Sequence, residues 1–420
     1  MILVRHLDKA AMGTWALFLI VTTTFELSKS ALLKSAHIRY VSGTKEIAER
    51  TSIASSSLII NILFNLIVIL IIIFLSKGLS NLLNAGNDLS SMLLWFIPGF
   101  ISMIFFSHFE AIQQSNFDFK GVFAGYLVRQ VSFFVFILIH FISHISFTLD
   151  QLAIYQAISI TLGAFVLYFH SKKYLTFKFT PSKPWTKKIL GYGGYIFGSG
   201  IISNLFSNLD QLMTSAYMLP SSVAYYNTAT RITGFIDTPS YAATEILFPK
   251  MSQASAGEGV NRVKYLYEKM SSILLSLITP VAIFIIIFPK FVILILAGEQ
   301  YQTASPILQV YMINSLLGTM QNQAANTLNS IGKAQLCFIL NTISLLAKLA
   351  ITFICLINFG FYGAAIGTLI TSFISVVIWN IIMKKEINAS IVNIIRHIGI
   401  FYKNIYTGTV NWLSKFNSSH

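Results

Sequence analysis

Leu58-Ile-Ile-Asn-Ile-Leu-Phe-Asn-Leu-Ile-Val-Ile-Leu-Ile-Ile-Ile-Phe-Leu75 runs for eighteen residues without a charge. As a helix it would extend about 27 Å, close to the roughly 30 Å hydrocarbon core of a bilayer. The rest of the chain carries the same signal. Of 420 residues, 55% are hydrophobic and 10% charged, against roughly 25% charged in ordinary soluble domains. A large soluble helical bundle does not fit these numbers. The sequence predicts an all-α polytopic membrane protein with spans at 11–29, 57–76, 91–113, 121–140, 150–170, 191–214, 223–247, 270–289, 305–328, 334–356 and 361–383.

The spans repeat. Residues 7–110 align with 219–323 at an offset of 212–213, so that Arg50 falls on Arg262, Leu63 on Leu275, Ala111 on Ala324 and Lys120 on Lys333. Apolar residues match cheaply in any two membrane helices, so the coincident charges and the scarcity of gaps carry the inference. Two homologous helical bundles in one chain are an architecture of transporters.

The formal charge of +14 is explained by its placement. Lys and Arg number five in 29–50, one in 77–90, one at Lys120, none in 141–149, six in 171–188 and none in 215–222. The second half continues with four in 250–269, one at Lys290, one at Lys333, none in 357–360 and five from Lys384 onward. Every second loop is basic, as the positive-inside rule requires of cytoplasmic loops. This puts 29–50, 114–120, 171–188, 250–269, 329–333 and the C-terminus in the cytoplasm and leaves no charge over for nucleic acid. Cys337 and Cys355 lie on one predicted helix, eighteen residues apart, and cannot bridge within it.

The stretch 171–188, with two prolines and six lysines, reads as a cytoplasmic linker between an N-terminal bundle at 1–170 and a C-terminal bundle at 189–385. Residues 386–420 form a tail in which Ile391, Ile394, Ile395, Ile398 and Ile405 share a stripe, which favours a helix in the membrane interface over a twelfth span. The second copy uses the segment aligned with 11–29 as an internal helix, so the N-terminal apolar stretch is expected to be a span and not a cleaved leader.

Ionisable groups deep in a span cost about 2.5–3.5 kcal/mol on insertion scales and mark cavities or buried partners. Arg129, Arg231, Asp237 and Lys348 lie roughly 12–21 Å inside their predicted helices at 1.5 Å per residue. Glu26, Glu110, Asp210 and Glu245 lie nearer the ends. Asn341 and Ser344 share a polar stripe with Lys348, and Asp237 shares one with Tyr241 and Thr244. Two readings stay open. The charges pair structurally, Arg129 or Arg231 with Asp210 or Asp237, or the cations line a cavity for phosphate, which Arg grips through a donor fork and Lys as a point charge. By this second reading Arg129, Arg231, Lys348 and Asn341 bind substrate, while Asp237, Asp210, Glu26 and Glu110 couple ions or pair.

Catalytic motifs are not supported, and the chain is not expected to be an enzyme. His140 and His144 have metal-like spacing but no third ligand nearby. The glycines of 191–200 open a membrane helix with no strand before them, so close helix packing explains Gly194 and Gly198, as it does Gly363 and Gly367.

Asn208-Leu-Asp-Gln211, then Val223-Ala-Tyr-Tyr-Asn-Thr-Ala-Thr-Arg-Ile232, Phe248-Pro-Lys-Met-Ser252, Leu328-Asn-Ser-Ile-Gly-Lys333 and Asn358-Phe-Gly-Phe-Tyr-Gly-Ala-Ala365 resemble the Wzx-type polysaccharide flippases of the multidrug/oligosaccharidyl-lipid/polysaccharide exporter superfamily. The resemblance implies a fold like that of the multidrug (MATE) exporters, with two six-helix bundles that alternate access. It further implies movement of an undecaprenyl-pyrophosphate-linked oligosaccharide across the bacterial cytoplasmic membrane. Coupling would be to a proton or sodium gradient, with no cofactor. Membrane lipids, a polysaccharide polymerase and chain-length machinery are the implied partners. Asp210 and Arg231 stand at positions typical of that family. A cation-coupled multidrug exporter would carry acids rather than cations deep in its cavity, and a membrane glycosyltransferase or polymerase would need acids gathered on a loop. With eleven spans against the family's twelve or more, the first family helix is expected to be missing from this chain.

Overall fold

The computed structural model describes residues 2–42, 44, 46–143, 148–175 and 178–417. The helices are α1 (Ile2–His6), α2 (Lys9–Ser42), α3 (Ile47–Leu82), α4 (Asp88–Trp95), α5 (Ile97–Ser115), α6 (Phe119–Ile142), α7 (Leu149–Ser171), α8 (Lys183–Tyr217), α9 (Pro220–Gly257), α10 (Val260–Ile287), α11 (Pro289–Leu296), α12 (Ser305–Ser330), α13 (Ala334–Phe359), α14 (Gly363–Ile387) and α15 (Ile391–Asn417). No strand occurs among the described residues, as a bilayer demands of a chain that must satisfy its backbone internally.

The predicted spans fall on helices, with two corrections. Segment 91–113 is broken at Phe96, where α4 and α5 meet at 46°. Pro98 stands in the first turn of α5, where its missing N–H and its ring interrupt the ladder running in from α4. Segment 270–289 ends at Ile287, and Pro289 starts α11. Six stretches of the described residues are long and apolar enough to cross a membrane, or seven with the bent pair, and one of the six, Gln335–Ile387, holds both α13 and α14. The polar α8, α9 and α12 are the predicted spans outside that set.

The repeat survives at the level of elements. Arg50 and Arg262 stand near the starts of α3 and α10, and α6 and α7 recur as α13 and α14. Contacts divide the chain into Met1–Ala224 and Tyr225–His420. This differs from the boundary expected at 171–188. Helix α8 packs along α2 and α3, and its Ile189 is buried in a core with Leu32, Leu33, Ala36, Ile53 and Ile60, covered by Trp185, Phe64 and Phe197.

In the first unit the basic loops meet at one end. The Arg50 Nη2 donates to Asn116 Oδ1 at 2.8 Å, Lys173 pairs with Asp118 at 2.7 Å, and the amides of Thr180 and Ser182 donate to Ser55 and Ser56. At the other end the Ser91 hydroxyl donates to Asp150 at 2.9 Å, and the Asn84 amide donates to the carbonyls of Ser215, Ala216 and Met218.

The second unit is sorted likewise. Glu268 accepts from the Ser390 amide and Asn393, and Lys333 pairs with Glu386. At its opposite end the Tyr226 hydroxyl donates to the Phe361 carbonyl at 2.6 Å. The tail helix α15 packs against α10. Ile394 is buried, Ile398 joins the same core, and the Tyr402 hydroxyl reaches the Ser276 carbonyl at 2.7 Å. Ile391 and Ile395 stay exposed, so only part of the predicted stripe is used within the chain. The Ile405 side chain lies outside the described residues.

Candidate functional site

Within the first unit, α2, α5 and α6 bring together a cluster of charges around a cavity of about 280 Å³ lined by Glu26, Lys29, Ser30, Glu110, Tyr126 and Arg129, among others. The Arg129 guanidinium donates from Nη1 and Nη2 to the two carboxylate oxygens of Glu26 at 2.6 and 2.9 Å, and lies 5.3 Å from the centre of the Phe106 ring. Such a fork-on-carboxylate pair is among the stronger polar contacts in proteins. Lys29 is fully buried and donates to the Met103 carbonyl at 2.8 Å. Glu110, also buried, pairs with Lys34 at 2.7 Å and accepts from Tyr126 and Gln114.

This corrects the sequence expectation for Arg129. Its partner is Glu26, not Asp210 or Asp237, and both of its terminal nitrogens are engaged. Glu26 and Glu110 both pair, as one of the two sequence readings expects. Hydropathy places Lys29 among the loop charges, yet its i, i+3 spacing from Glu26 puts both on one helical face.

The second unit contains a different arrangement. Along α9 and α12 runs a polar seam in which Ser315 donates to Asp237 Oδ1, Ser240 and Thr319 share a hydrogen bond, and Asn314 and Gln321 bond Ser372 of α14. Half-buried Arg231 donates its Nε to the Asn227 amide oxygen at 2.8 Å, and no carboxylate pairs with it among the described residues. A guanidinium bonded to a neutral amide keeps its full charge and its outer donors for a ligand. Tyr241, Thr244 and Glu245 have side chains outside the described residues.

Lys348 is buried on α13. Asn341 is half-buried and donates to Cys337 Sγ at 3.7 Å, while Ser344 is half-buried nearby on the same helix. Asp210, in the first unit, is buried, with its Oδ1 accepting from the Gln211 amide at 3.1 Å. The predicted cations therefore divide, with Arg129 in the first unit and Arg231 and Lys348 in the second. Both cysteines are free and buried.

Of the remaining motifs, the described residues make local packing contacts. The His140 Nδ1 bonds the Tyr155 hydroxyl at 3.0 Å, and His144 lies outside the described residues. No group of three or more His, Cys, Asp or Glu that could hold a metal occurs among the described residues. A Cβ on Gly363 would lie 2.2 Å from the Cys355 carbonyl oxygen, and one on Gly367 would lie 2.7 Å from Thr352 Cα, so these two glycines let α13 and α14 touch. The packing of Gly194 lies outside the described residues.

Outside the spans, Asp118 accepts from Lys173 and from the Tyr174 hydroxyl at 3.1 Å. The Lys173 ammonium holds the Asp118 carboxyl below the usual carboxylate range, with Tyr174 adding to the effect.

Comparison with known proteins agrees with this architecture. The chain superposes on the lipid II flippase MurJ in an inward closed conformation with a TM-score of 0.78, at 15% identity, covering 98% of this chain and 88% of that one. It superposes on an inward-facing multidrug resistance MATE family transporter with a TM-score of 0.79, at 16% identity, covering 92% of each chain. These likenesses show the fold. In sequence it is 23% identical over 198 residues to the probable low-salt glycan biosynthesis flippase Agl15 of Haloferax volcanii, a stretch that spans 47% of this chain and 42% of that relative. The chain thus matches less than half the length of this curated relative. Residues 2–306 match the family described as polysaccharide biosynthesis protein, and this multi-pass membrane protein belongs to that family.

Proposed function

We propose that this protein is a flippase that moves an undecaprenyl-pyrophosphate-linked oligosaccharide across the bacterial cytoplasmic membrane by alternating access. The observation that carries the reading is Arg231, a cation deep in a predicted span that is held by the neutral Asn227 amide rather than by a carboxylate. A site for a multidrug cation would place the opposite sign there, whereas a pyrophosphate needs unneutralised donors at the depth where water is scarce. Lys348 and Asn341 on α13 are proposed to add a point charge and an amide. The sequence similarity to a probable glycan flippase supports the same substrate class.

In this reading a proton or sodium gradient drives the cycle, and Glu26, Glu110, Asp210 and Asp237 are the carboxylates available to couple it. The C-terminus faces the cytoplasm. The protein does no covalent chemistry. It hands the lipid-linked unit to a polymerase and its chain-length machinery.

The test is reconstitution of the full chain in proteoliposomes with a polyprenyl-pyrophosphate-linked oligosaccharide, following exposure of the glycan to an added glycosidase. Translocation that needs the protein supports the reading. No glycan movement, together with gradient-driven uptake of a cationic dye, would reverse it in favour of a multidrug exporter.

A further inference from the structure

A second cavity, of about 490 Å³, lies wholly within the first unit at the end where its basic loops gather. Its volume is in the range of small-molecule sites, roughly 300–1,000 Å³. Helices α2, α3, α5 and α7 form its walls, and residues just after α7 close one side. None of the residues proposed above to carry the translocated pyrophosphate line it.

Three features of the wall point to a ligand. The first is His37, only 1% exposed, whose two ring nitrogens both lack a hydrogen-bond partner among the described residues. Its ring meets buried His108 edge to face at 6.0 Å, and two imidazoles in that geometry do not satisfy each other. A buried donor or acceptor left without a partner is destabilising, a cost that persists in proteins mostly where something else supplies the bond.

The second is charge. Arg50 reaches the cavity with its guanidinium held by the neutral Asn116 amide and unpaired by any carboxylate among the described residues, while Lys173 on the same wall is paired with Asp118. The third is shape. Aromatic rings, including Tyr168 tilted against Phe109 with ring centres 5.4 Å apart, line the cavity beside its cations. A guanidinium fork, imidazole donors and aromatic faces together match a phosphate ester whose organic part is a ring, and match a cation or a plain hydrocarbon poorly.

We propose that this cavity is a second anion site that holds the phosphate or pyrophosphate of a phosphorylated sugar, through Arg50, His37 and His108, separately from the translocation path. Arg50 grips the phosphate oxygens and His37 donates to them, while Asn116 positions the guanidinium. Two sources offer this chemistry, the headgroup of a polyprenyl phosphate lipid and a free sugar or nucleoside diphosphate.

The experiment uses the full chain in nanodiscs, titrated with inorganic pyrophosphate, with uridine diphosphate and with polyprenyl phosphate in the disc. Binding is read by calorimetry and by the shift in melting temperature. In the Arg231→Gln background, which serves as the parent here and lacks the guanidinium proposed for translocation, pyrophosphate is expected to bind, and Arg50→Gln to weaken it tenfold or more. Competition by polyprenyl phosphate identifies the lipid headgroup as the source, and competition by uridine diphosphate alone identifies a soluble ligand.

His37→Phe keeps the ring and removes the unsatisfied nitrogens. It should melt no lower than the parent without ligand and should lose most of the ligand-induced shift. If Arg50→Gln does not fold, His37→Phe decides. Equal pyrophosphate affinity in the parent and His37→Phe, or no binding by the folded parent, overturns the site. Because binding is measured without transport, a failed flipping assay leaves this result standing, and the converse also holds.

Discussion

Arg129 and Glu26, 103 residues apart in sequence, lock α6 to α2 through two parallel hydrogen bonds of 2.6 and 2.9 Å. The pair is largely sequestered, with side-chain exposures of 9% for Arg129 and 23% for Glu26. Removing one member of a buried pair leaves the other charge uncompensated, at a cost of about 3–5 kcal/mol, whereas replacing both with apolar side chains is often neutral. Arg129→Ala and Glu26→Ala should each lower the melting temperature sharply in detergent. The double variant Glu26→Leu/Arg129→Met should recover most of the loss. Additive losses in the double variant would show that the two residues act independently.

The contrast with Arg231 shows what the sequence discloses. Depth in a span is readable from one strand of residues, so Arg129, Arg231, Asp237 and Lys348 all stand out from their hydropathy surroundings. Partnership is not readable in this way, because it depends on which helices touch. The apolar run ends near residue 29, which makes Glu26 peripheral in the sequence, yet α2 continues to Ser42 and places Glu26 near mid-helix. The order of the helices and their repetition were legible because they rest on local apolar runs. The packing of α8 on α2 was not, since the repeat identifies homologous segments and says nothing of which neighbour each one buries against. His37 had no signal at all, its interest arising only from what surrounds it.

Gly363 offers a test of helix contact. A Cβ there would sit 2.2 Å from the Cys355 carbonyl oxygen, a backbone atom that cannot swing aside. Gly363→Ala should therefore cost about 1–3 kcal/mol, typical of overpacking. Gly191 is the control, since a Cβ there meets nothing within 4 Å, and Gly191→Ala should be neutral or stabilise by up to about 1 kcal/mol through helix propensity. Melting temperatures of the two variants should move in opposite directions or differ clearly in size. Equal shifts would contradict the contact.

Asp118 gives a pH dependence. Its carboxyl titrates below the usual range because Lys173 and Tyr174 favour the charged form. The contact therefore stabilises the loop above the ordinary carboxylate pKa of about 3.9 and is lost as pH falls through the lower value in the folded protein. Limited proteolysis of 171–188 should be slower in the parent than in Lys173→Gln at neutral pH. That difference should close only below about pH 4. A gap unchanged down to pH 2 would remove Asp118 from the contact.

The sorting of loops predicts orientation. Reporters fused at Lys183, Gly257 and Ser414 should all read cytoplasm, and those at Ser80 and Gln302 the outside, because the first set follows the basic loops. An inversion among the second-unit sites would contradict the helix count.

Arg231 should behave unlike Arg129 under the same substitution. Its acceptor is a neutral amide, so Arg231→Ala strands no buried carboxylate and should cost only about 1.5–3 kcal/mol, the usual worth of a hydrogen bond to a charged group. The protein should still insert and fold. Transport should fall tenfold or more, because the lost donors are those proposed to meet the pyrophosphate. Arg231→Lys should keep an intermediate rate, since a lysine restores the charge but not the two-pronged grip. The two arginines are thus separable by two readouts. Arg129→Ala should lose melting temperature first and activity as a consequence, while Arg231→Ala should lose activity with most of its stability intact. Normal glycan translocation by a folded Arg231→Ala variant would remove Arg231 from the substrate path, and disappearance of that variant from the membrane would make Arg231 a structural residue like Arg129.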